Sequence, residues 1–188
     1  MLDEKTLNNF VSETNHAYQQ FCVWLYTNNE LSKYWGKWNG IKYKNFWGIV
    51  IPTLQYSWIL SLARLFDPAY FIRDTKKENP RLCLDYVLEL LEDDSLVQTI
   101  KQQISNHKNS IDSIKEQRDN FLVHNSIKFN NTRIEVRAES LFKTLDNIIT
   151  EIKNKNPHLK DCNNINREDT KKLSQDGIGE IFEALSKC

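Results

Sequence analysis

The sequence predicts an all-α protein, built as an up-and-down helical bundle. Only five glycines and four prolines occur in 188 residues, whereas all-β folds usually need more turn residues. Hydrophobic residues make up 40% of the chain, which is enough for a core. In several long segments the apolar residues recur three or four positions apart, which is the spacing of one helix face.

The first helix is predicted over residues 2–29, where the apolar residues keep this spacing. A loop follows, and within residues 33–44 it places tryptophans and a tyrosine among lysines, with two glycines as helix breakers. Such a loop could stack nucleic-acid bases and hold phosphates. It could equally fold back on the core with its lysines in solvent, and the sequence leaves both roles open.

The second helix is predicted over residues 46–66. Its apolar residues form one stripe, made of Phe46, Val50, Leu54, Trp58, Leu62 and Leu65. Pro52 would either kink this helix or lie near its start, and Pro68 would end it. Because polar residues interrupt the apolar run, we expect a buried helix rather than a membrane span, and no membrane partner.

A short leucine-rich helix is predicted over residues 81–91, and a long helix over residues 96–122. The stretch "EDDS" before the long helix offers acidic residues and Ser95 as its N-cap. His107 lies on the apolar stripe of the long helix and is interpreted as a hydrogen-bonded core or boundary histidine. Arg118 stands on the same stripe, where an apolar residue would be expected.

Beyond this helix, residues 127–136 could form a small β-hairpin, because apolar and polar residues alternate on both sides of Asn130 and Asn131. A last core helix is predicted over residues 138–152. The sequence then becomes polar before a final amphipathic segment, residues 179–188. We therefore expect a helical-bundle domain, residues 1–155, followed by a polar linker and a C-terminal amphipathic helix, residues 156–188.

The charge and the cysteine content of the chain limit the kinds of function that we expect. Lys+Arg and Asp+Glu both total 25, so the formal net charge is +0, which argues against general electrostatic attachment to nucleic acid but permits a local basic cleft. The first residues lack the pattern of a signal peptide, and the four cysteines are scattered without a C-x-x-C pair. We expect a reduced, cytoplasmic protein with no metal site and no cofactor.

One group of polar residues has the composition of a catalytic site. In "RDNFLVHN", Arg118 and His124 are six positions apart, and the polar Asp119 follows the arginine. This arrangement resembles the signature of the HEPN superfamily. The upstream segment "WILSLARLFDP", residues 58–68, and the leucine-rich helix after it are similar to the abortive-infection type of HEPN protein. The resemblance extends over about residues 10–152.

This resemblance implies a bundle of four to five helices that commonly forms a two-fold dimer, in which the Arg/His motifs of both subunits line one cleft. Many members are metal-independent endoribonucleases of phage-defence or toxin–antitoxin systems. RNA would then be the substrate, and an antitoxin protein a further partner. Other members are catalytically inactive modules that bind a partner protein or nucleotide.

The residue types suit RNA cleavage. The 2′-OH of RNA is an internal nucleophile, and a histidine with a reference pKa of about 6.5 can take its proton near neutral pH. An arginine stays cationic and can stabilise charge on the phosphoryl oxygens. We therefore assign His124 as general acid/base and Arg118 as phosphate anchor, with Asp119 and Asn125 orienting them or contacting RNA. The expected product carries a 2′,3′-cyclic phosphate.

Helix geometry sets a condition on this site. Six residues leave two side chains about 120° apart around a straight helix and about 9 Å apart along it. Either the helix end loosens, or the second subunit's copy completes the site. In the competing interpretation, Arg118 pairs with Glu116, Asp119 or an acid on another helix, and His124 caps the helix end of a protein without a site.

Overall fold

The computed structural model describes residues 1–34, 41–70, 80–124 and 134–186, with backbone alone at 34, 41–44 and 121–124. Helices account for nearly all of these ranges, which contain no strand, so the all-α prediction is confirmed. The described ranges hold seven α-helices, which are α1 (Glu4–Tyr34), α2 (Ile41–Leu65), α3 (Leu84–Glu89), α4 (Asp94–Asn106), α5 (Lys108–His124), α6 (Ile134–Lys155) and α7 (Arg167–Ser186). A 3-10 turn, Pro157–Leu159, follows α6.

The core forms around α1, which packs along α2 and α7 and also touches α6. Its centre is a group of buried aromatic rings contributed by three helices. Phe21 of α1 meets Trp58 of α2 edge-on, with ring centroids 5.3 Å apart, and lies 5.7 Å from Phe142 of α6. Trp24 lies 5.4 Å from Trp58. These rings join α1, α2 and α6 into one body.

The second helix is longer than predicted. It starts at Ile41, so Pro52 lies inside it rather than near its start. Trp58 and Leu62 are buried as expected, but Phe46 is 55% exposed and Trp47 is buried in its place. By length and composition, Asn45–Leu65 is the one helix in the described ranges that could cross a membrane, with 33% of its most apolar window buried. The absence of a membrane partner stays a prediction.

The predicted long fourth helix is in fact two helices that meet at His107. His107 closes α4 with φ −105° and ψ 8°, and α5 begins at the next residue. Its Nε2 atom hydrogen-bonds Thr144 Oγ1 on α6 at 3.0 Å, in agreement with its interpretation as a hydrogen-bonded boundary residue. At the start of α4 the N-cap is Asp93 and not Ser95, because the Asp93 carboxylate accepts the Leu96 N–H at 3.0 Å.

The hairpin prediction is wrong for the part that the structure describes. Ile134 and Val136 belong to the first turn of α6, and the rest of the predicted hairpin lies outside the described residues. Ile134 is buried together with Ala138 and Leu141, at spacings of four and three, while Val136 is exposed. The longer helical period therefore outweighs the short alternation that suggested a strand.

The polar stretch predicted as a linker becomes helical at Arg167, well before the expected amphipathic segment. Across its first turn, the backbone N–H of Asp169 donates to Asn166 Oδ1 at 3.4 Å, and Asn166 Nδ2 donates to Asp169 Oδ2 at 2.8 Å. Near the other end, the buried Phe182 stacks on Trp47 with ring centroids 5.2 Å apart. The C-terminal helix thus packs on α1 and α2, while the proposed division into two regions stays a prediction.

Candidate functional site

The arginine of the predicted motif is held by an aspartate that lies just beyond the end of α2. Arg118 Nη1 donates to both carboxylate oxygens of Asp67, each at 2.9 Å. Arg118 Nε donates to Asp119 Oδ1 at 2.8 Å. The side chains of Arg118 and Asp67 are 17% and 12% exposed, whereas that of Asp119 is 60% exposed. The contact between Arg118 and Asp67 is therefore the one that is shielded from solvent.

Asp67 is the centre of a cationic cluster. Besides Arg118, Lys115 Nζ lies 3.8 Å from Asp67 Oδ1, and Arg81 Nη1 lies 3.7 Å from Asp67 Oδ2. Lys115 Nζ also donates to the carbonyl oxygen of Phe66 at 2.6 Å. Three cations thus surround one buried carboxylate, which leaves a local excess of positive charge in a chain whose net charge is zero.

The chain after α2 is fixed in a way that places Asp67 beside α5. The amides of Phe66 and Asp67 bond back to the carbonyls of Ala63 and Arg64, which tightens the last turn of the helix. Pro68 then prevents continuation of the helix. The carboxylate of Asp85 accepts the Ala69 N–H at 3.0 Å, so α3 holds this segment from the other side.

Electrostatics keep the guanidinium charged. The hydrogen bond that Arg118 donates to Asp119, followed by those it donates to Asp67, raises the pKa of Arg118, and burial opposes this only in part. A permanently cationic group next to a basic cluster suits the binding of an anion such as phosphate.

Two clefts share Asp67 in their lining. The first, of about 530 Å³, is lined by Arg64, Arg81 and Arg118 together with Glu13, and is called the arginine cleft below. The second, of about 460 Å³, lies between the turn after α2, helix α3 and the α4–α5 wall, and carries Lys101, Lys108 and Lys115. It is called the lysine cleft. Asp67 therefore lies at the boundary between the arginine cleft and the lysine cleft.

The predicted site residues are placed as follows. Arg118 and Asp119 are adjacent on α5 and hydrogen-bonded to each other. His124 is the last residue of α5, with its backbone helical, and Asn125 lies outside the described residues. The structure therefore neither brings Arg118 and His124 together nor separates them, and their joint role stays a prediction. Of the partners that the competing interpretation offered for Arg118, the structure shows Asp119, and the second partner, Asp67, lies just beyond the end of α2 rather than on a helix.

Asp67 was missed by the sequence argument, although it belongs to the segment "LFDP" that supported the family resemblance. The available signal was an acid directly before a proline at the end of an apolar helix. That pattern predicts where the helix ends, but it does not indicate which cation the acid will meet. Among the described residues, no group of three or more His, Cys, Asp or Glu side chains could hold a metal ion.

Comparison with known proteins gave one family match. The model of the family HEPN_AbiU2, described as AbiU2, matches residues 2–173. The match includes α1 to α6, Asp67, and the predicted motif from Arg118 to Asn125. Searches of curated proteins and of solved structures gave no significant match.

Proposed function

Because the chain belongs to the AbiU2 family, a family of HEPN-type abortive-infection proteins, we propose that it is a metal-independent endoribonuclease that uses Arg118 and His124. The observation that carries the proposal is the placement of Arg118. Its guanidinium is fixed by a buried carboxylate and lines the arginine cleft. A cation held in this way can bind a phosphodiester without first being ordered.

The proposed reaction is transesterification within the RNA strand. His124 takes the proton of a 2′-OH, and the 2′ oxygen attacks the adjacent phosphorus. The bond from phosphorus to the 5′ oxygen breaks, and this oxygen receives a proton from a second imidazole. The products are a 2′,3′-cyclic phosphate and a 5′-hydroxyl. A homodimer would supply both imidazoles as two copies of His124, one acting as base and the other as acid.

Arg118 would stabilise the charge that develops on the phosphoryl oxygens. A guanidinium has five N–H donors. The hydrogen bonds described above use Nη1 and Nε, and within the described part of the chain Nη2 makes no hydrogen bond to protein. The Nη2 donors would therefore contact phosphate while Asp67 keeps the group in place. In this proposal Asp67 is a positioning residue and Asp119 a weaker, solvent-exposed support.

A second function is favoured by the same contacts. Two of the guanidinium nitrogens already meet carboxylates, and this arrangement also suits an arginine whose role is to join α5 to the end of α2. In that case the chain would be a catalytically inactive HEPN module that binds a partner protein or nucleotide. The two functions are distinguished by whether the protein cleaves RNA in a way that depends on Arg118 and His124.

The test compares matched variants on single-stranded RNA. Arg118→Ala and His124→Ala are expected to abolish cleavage. Arg167→Ala is the matched arginine control, because Arg167 is also ion-paired, to Glu139 at 2.6 Å, is 19% exposed, and lines neither of the two clefts. His158→Ala is the histidine control. Cleavage that persists in the two motif variants would remove the proposed enzyme.

The biological setting is proposed to be phage defence or a toxin–antitoxin pair. Expression of the wild-type chain should then slow growth, and Arg118→Ala or His124→Ala should relieve this effect. Co-expression of a cognate antitoxin should relieve it without any mutation. Normal growth under wild-type expression, with soluble folded protein present, would favour the inactive binding module.

A further inference from the structure

The lysine cleft lies beside the proposed catalytic centre and has no assigned role. We propose that it is a subsite that holds one nucleotide of single-stranded RNA next to the strand position bound by Arg118. This inference rests on the proposed function for its choice of ligand. Its own basis is the combination of an apolar floor, a row of lysines and a shared boundary at Asp67.

The floor of the cleft suits a nucleobase. Leu84, Leu88 and Ile111 are buried where they line it, and Phe66 and Ile104 are half-buried. The volume of about 460 Å³ lies in the range of small-molecule sites. An apolar surface can take the flat face of any base, so the contact would tolerate different sequences.

The lysines form a row along the α4–α5 wall. Lys101, Lys108 and Lys115 are seven residues apart, and on α5 this spacing corresponds to about 10.5 Å along the axis. Lys115 is engaged by Phe66 and Asp67, whereas Lys101 and Lys108 are exposed. The two exposed ammonium groups are therefore the ones placed to meet phosphates.

The acids in the lining offset only part of the positive charge of the lysines. Asp67 accepts both hydrogen bonds from Arg118 Nη1, so its charge is matched by the guanidinium. Asp85 accepts the backbone N–H of Ala69, which is neutral and leaves the charge of this exposed carboxylate in place. A phosphate in the cleft would therefore meet the two exposed lysines, Lys101 and Lys108, against this single carboxylate, which leaves a net positive environment.

The row of lysines leads directly to the motif. Arg118 lies one helical turn beyond Lys115, and Asp67 contacts both residues. A strand whose base occupies the lysine cleft would have its next phosphate near Arg118. A chain of zero net charge could bind RNA in this way, because Lys101, Lys108, Lys115 and Arg118 follow one another along the α4–α5 wall.

The experiment measures binding of a short fluorescent single-stranded RNA by anisotropy at several salt concentrations. Every protein carries His124→Ala, so the RNA stays intact while Arg118 can still bind phosphate. Adding Lys101→Gln and Lys108→Gln should reduce the slope of log K against log salt by about 1.4, or about 0.7 for each lost phosphate contact. Lys143→Gln with Lys155→Gln, two exposed lysines of α6 outside the cleft, should leave the slope unchanged.

A second pair of variants tests the base contact. Ser105→Trp fills the cleft from an exposed position and should weaken RNA binding without altering the salt slope. Asn109→Trp adds the same side chain at an exposed position that does not line the cleft, and should leave binding unchanged.

The outcomes separate this subsite from the proposed enzyme. An unchanged salt slope in the Lys101 and Lys108 variant, or an absence of RNA binding, would overturn the subsite even if the wild-type protein cleaves RNA. A reduced slope would support it even if no cleavage is found. Binding of free nucleoside monophosphate that depends on these lysines, with RNA binding unaffected, would assign the cleft to a free nucleotide and also overturn the proposal.

Discussion

Replacing Asp67 by alanine should destabilise the fold more than replacing Arg118, although the two residues form one ion pair. Asp67 serves three cations, so its removal leaves the guanidinium of Arg118 and its two cationic neighbours close together without their common partner. Removal of Arg118 instead leaves the carboxylate with Lys115 at 3.8 Å and Arg81 at 3.7 Å. The cost of the two substitutions is therefore unequal.

The magnitudes follow from burial. Breaking a buried ion pair costs about 3–5 kcal/mol. Because both side chains keep slight exposure, we expect about 3 kcal/mol for Asp67→Ala, at the low end of that range. Arg118→Ala removes three hydrogen bonds to carboxylates, but Lys115 and Arg81 remain beside Asp67, so the net cost should be only about 1.5 kcal/mol, the lower end of what one hydrogen bond to a charged group contributes. Asp119→Ala, at an exposed position, should cost about 0.5 kcal/mol or less.

The assay is urea unfolding followed by far-ultraviolet circular dichroism, with the double variant completing a cycle. The coupling free energy between Asp67 and Arg118 should be about 2 kcal/mol. Equal costs for the two single variants, or a coupling free energy near zero, would refute the description of Asp67 as the centre of the cluster. The modest cost expected for Arg118→Ala also means that loss of cleavage in this variant should not reflect unfolding.

Three further outcomes are expected. Phe182→Ala should speed hydrogen exchange of the α7 amides and lower the free energy of unfolding by about 3 kcal/mol. Leu173→Ala, at an exposed position of the same helix, should change neither the exchange nor the stability. Unchanged exchange in Phe182→Ala would contradict the packing of α7 on Trp47. Burial raises the pKa of Glu135 above its ordinary value of 4.5, so its folded form holds the proton more tightly. Stability is therefore lost as the pH rises through the window above 4.5, and Glu135→Gln should be the more stable protein at neutral pH, with no difference in acid. Burial raises the pKa of Cys22 to about 11, so its thiol should resist alkylation near neutral pH until the protein is unfolded.

The helices could be predicted because their apolar spacing is carried within each segment. The break at His107 could not, since apolar residues recur at helical spacing on both sides of it. Its hydrogen bond to Thr144 is made across 37 positions, and no local pattern marks it. Around Ile134 the apolar residues fit both the alternation of a strand and the three-to-four spacing of a helix, and only packing against the core selects the helix.

Of the ion pair at the candidate site, only the arginine could be predicted from the sequence. Arg118 was noticeable because a charge interrupts an apolar stripe. Its buried partner Asp67 lies 51 positions earlier, and its role depends on how α2 and α5 pack against each other. The lysine cleft was hidden for a similar reason, because its floor comes from segments distant in sequence. Overall composition, with a net charge of zero, pointed away from such a local concentration of cations.

The most direct measurement of the central claim is the chemistry of the RNA ends that the purified protein produces. Single-stranded RNA is incubated with wild type, Arg118→Ala, His124→Ala and the Arg167→Ala control, and the fragments are analysed by mass spectrometry. We expect fragments ending in 2′,3′-cyclic phosphate from wild type and from the control, and none from the two motif variants. Intact RNA in every sample, or the same fragments from all four proteins, would contradict the assignment of this chain as a ribonuclease.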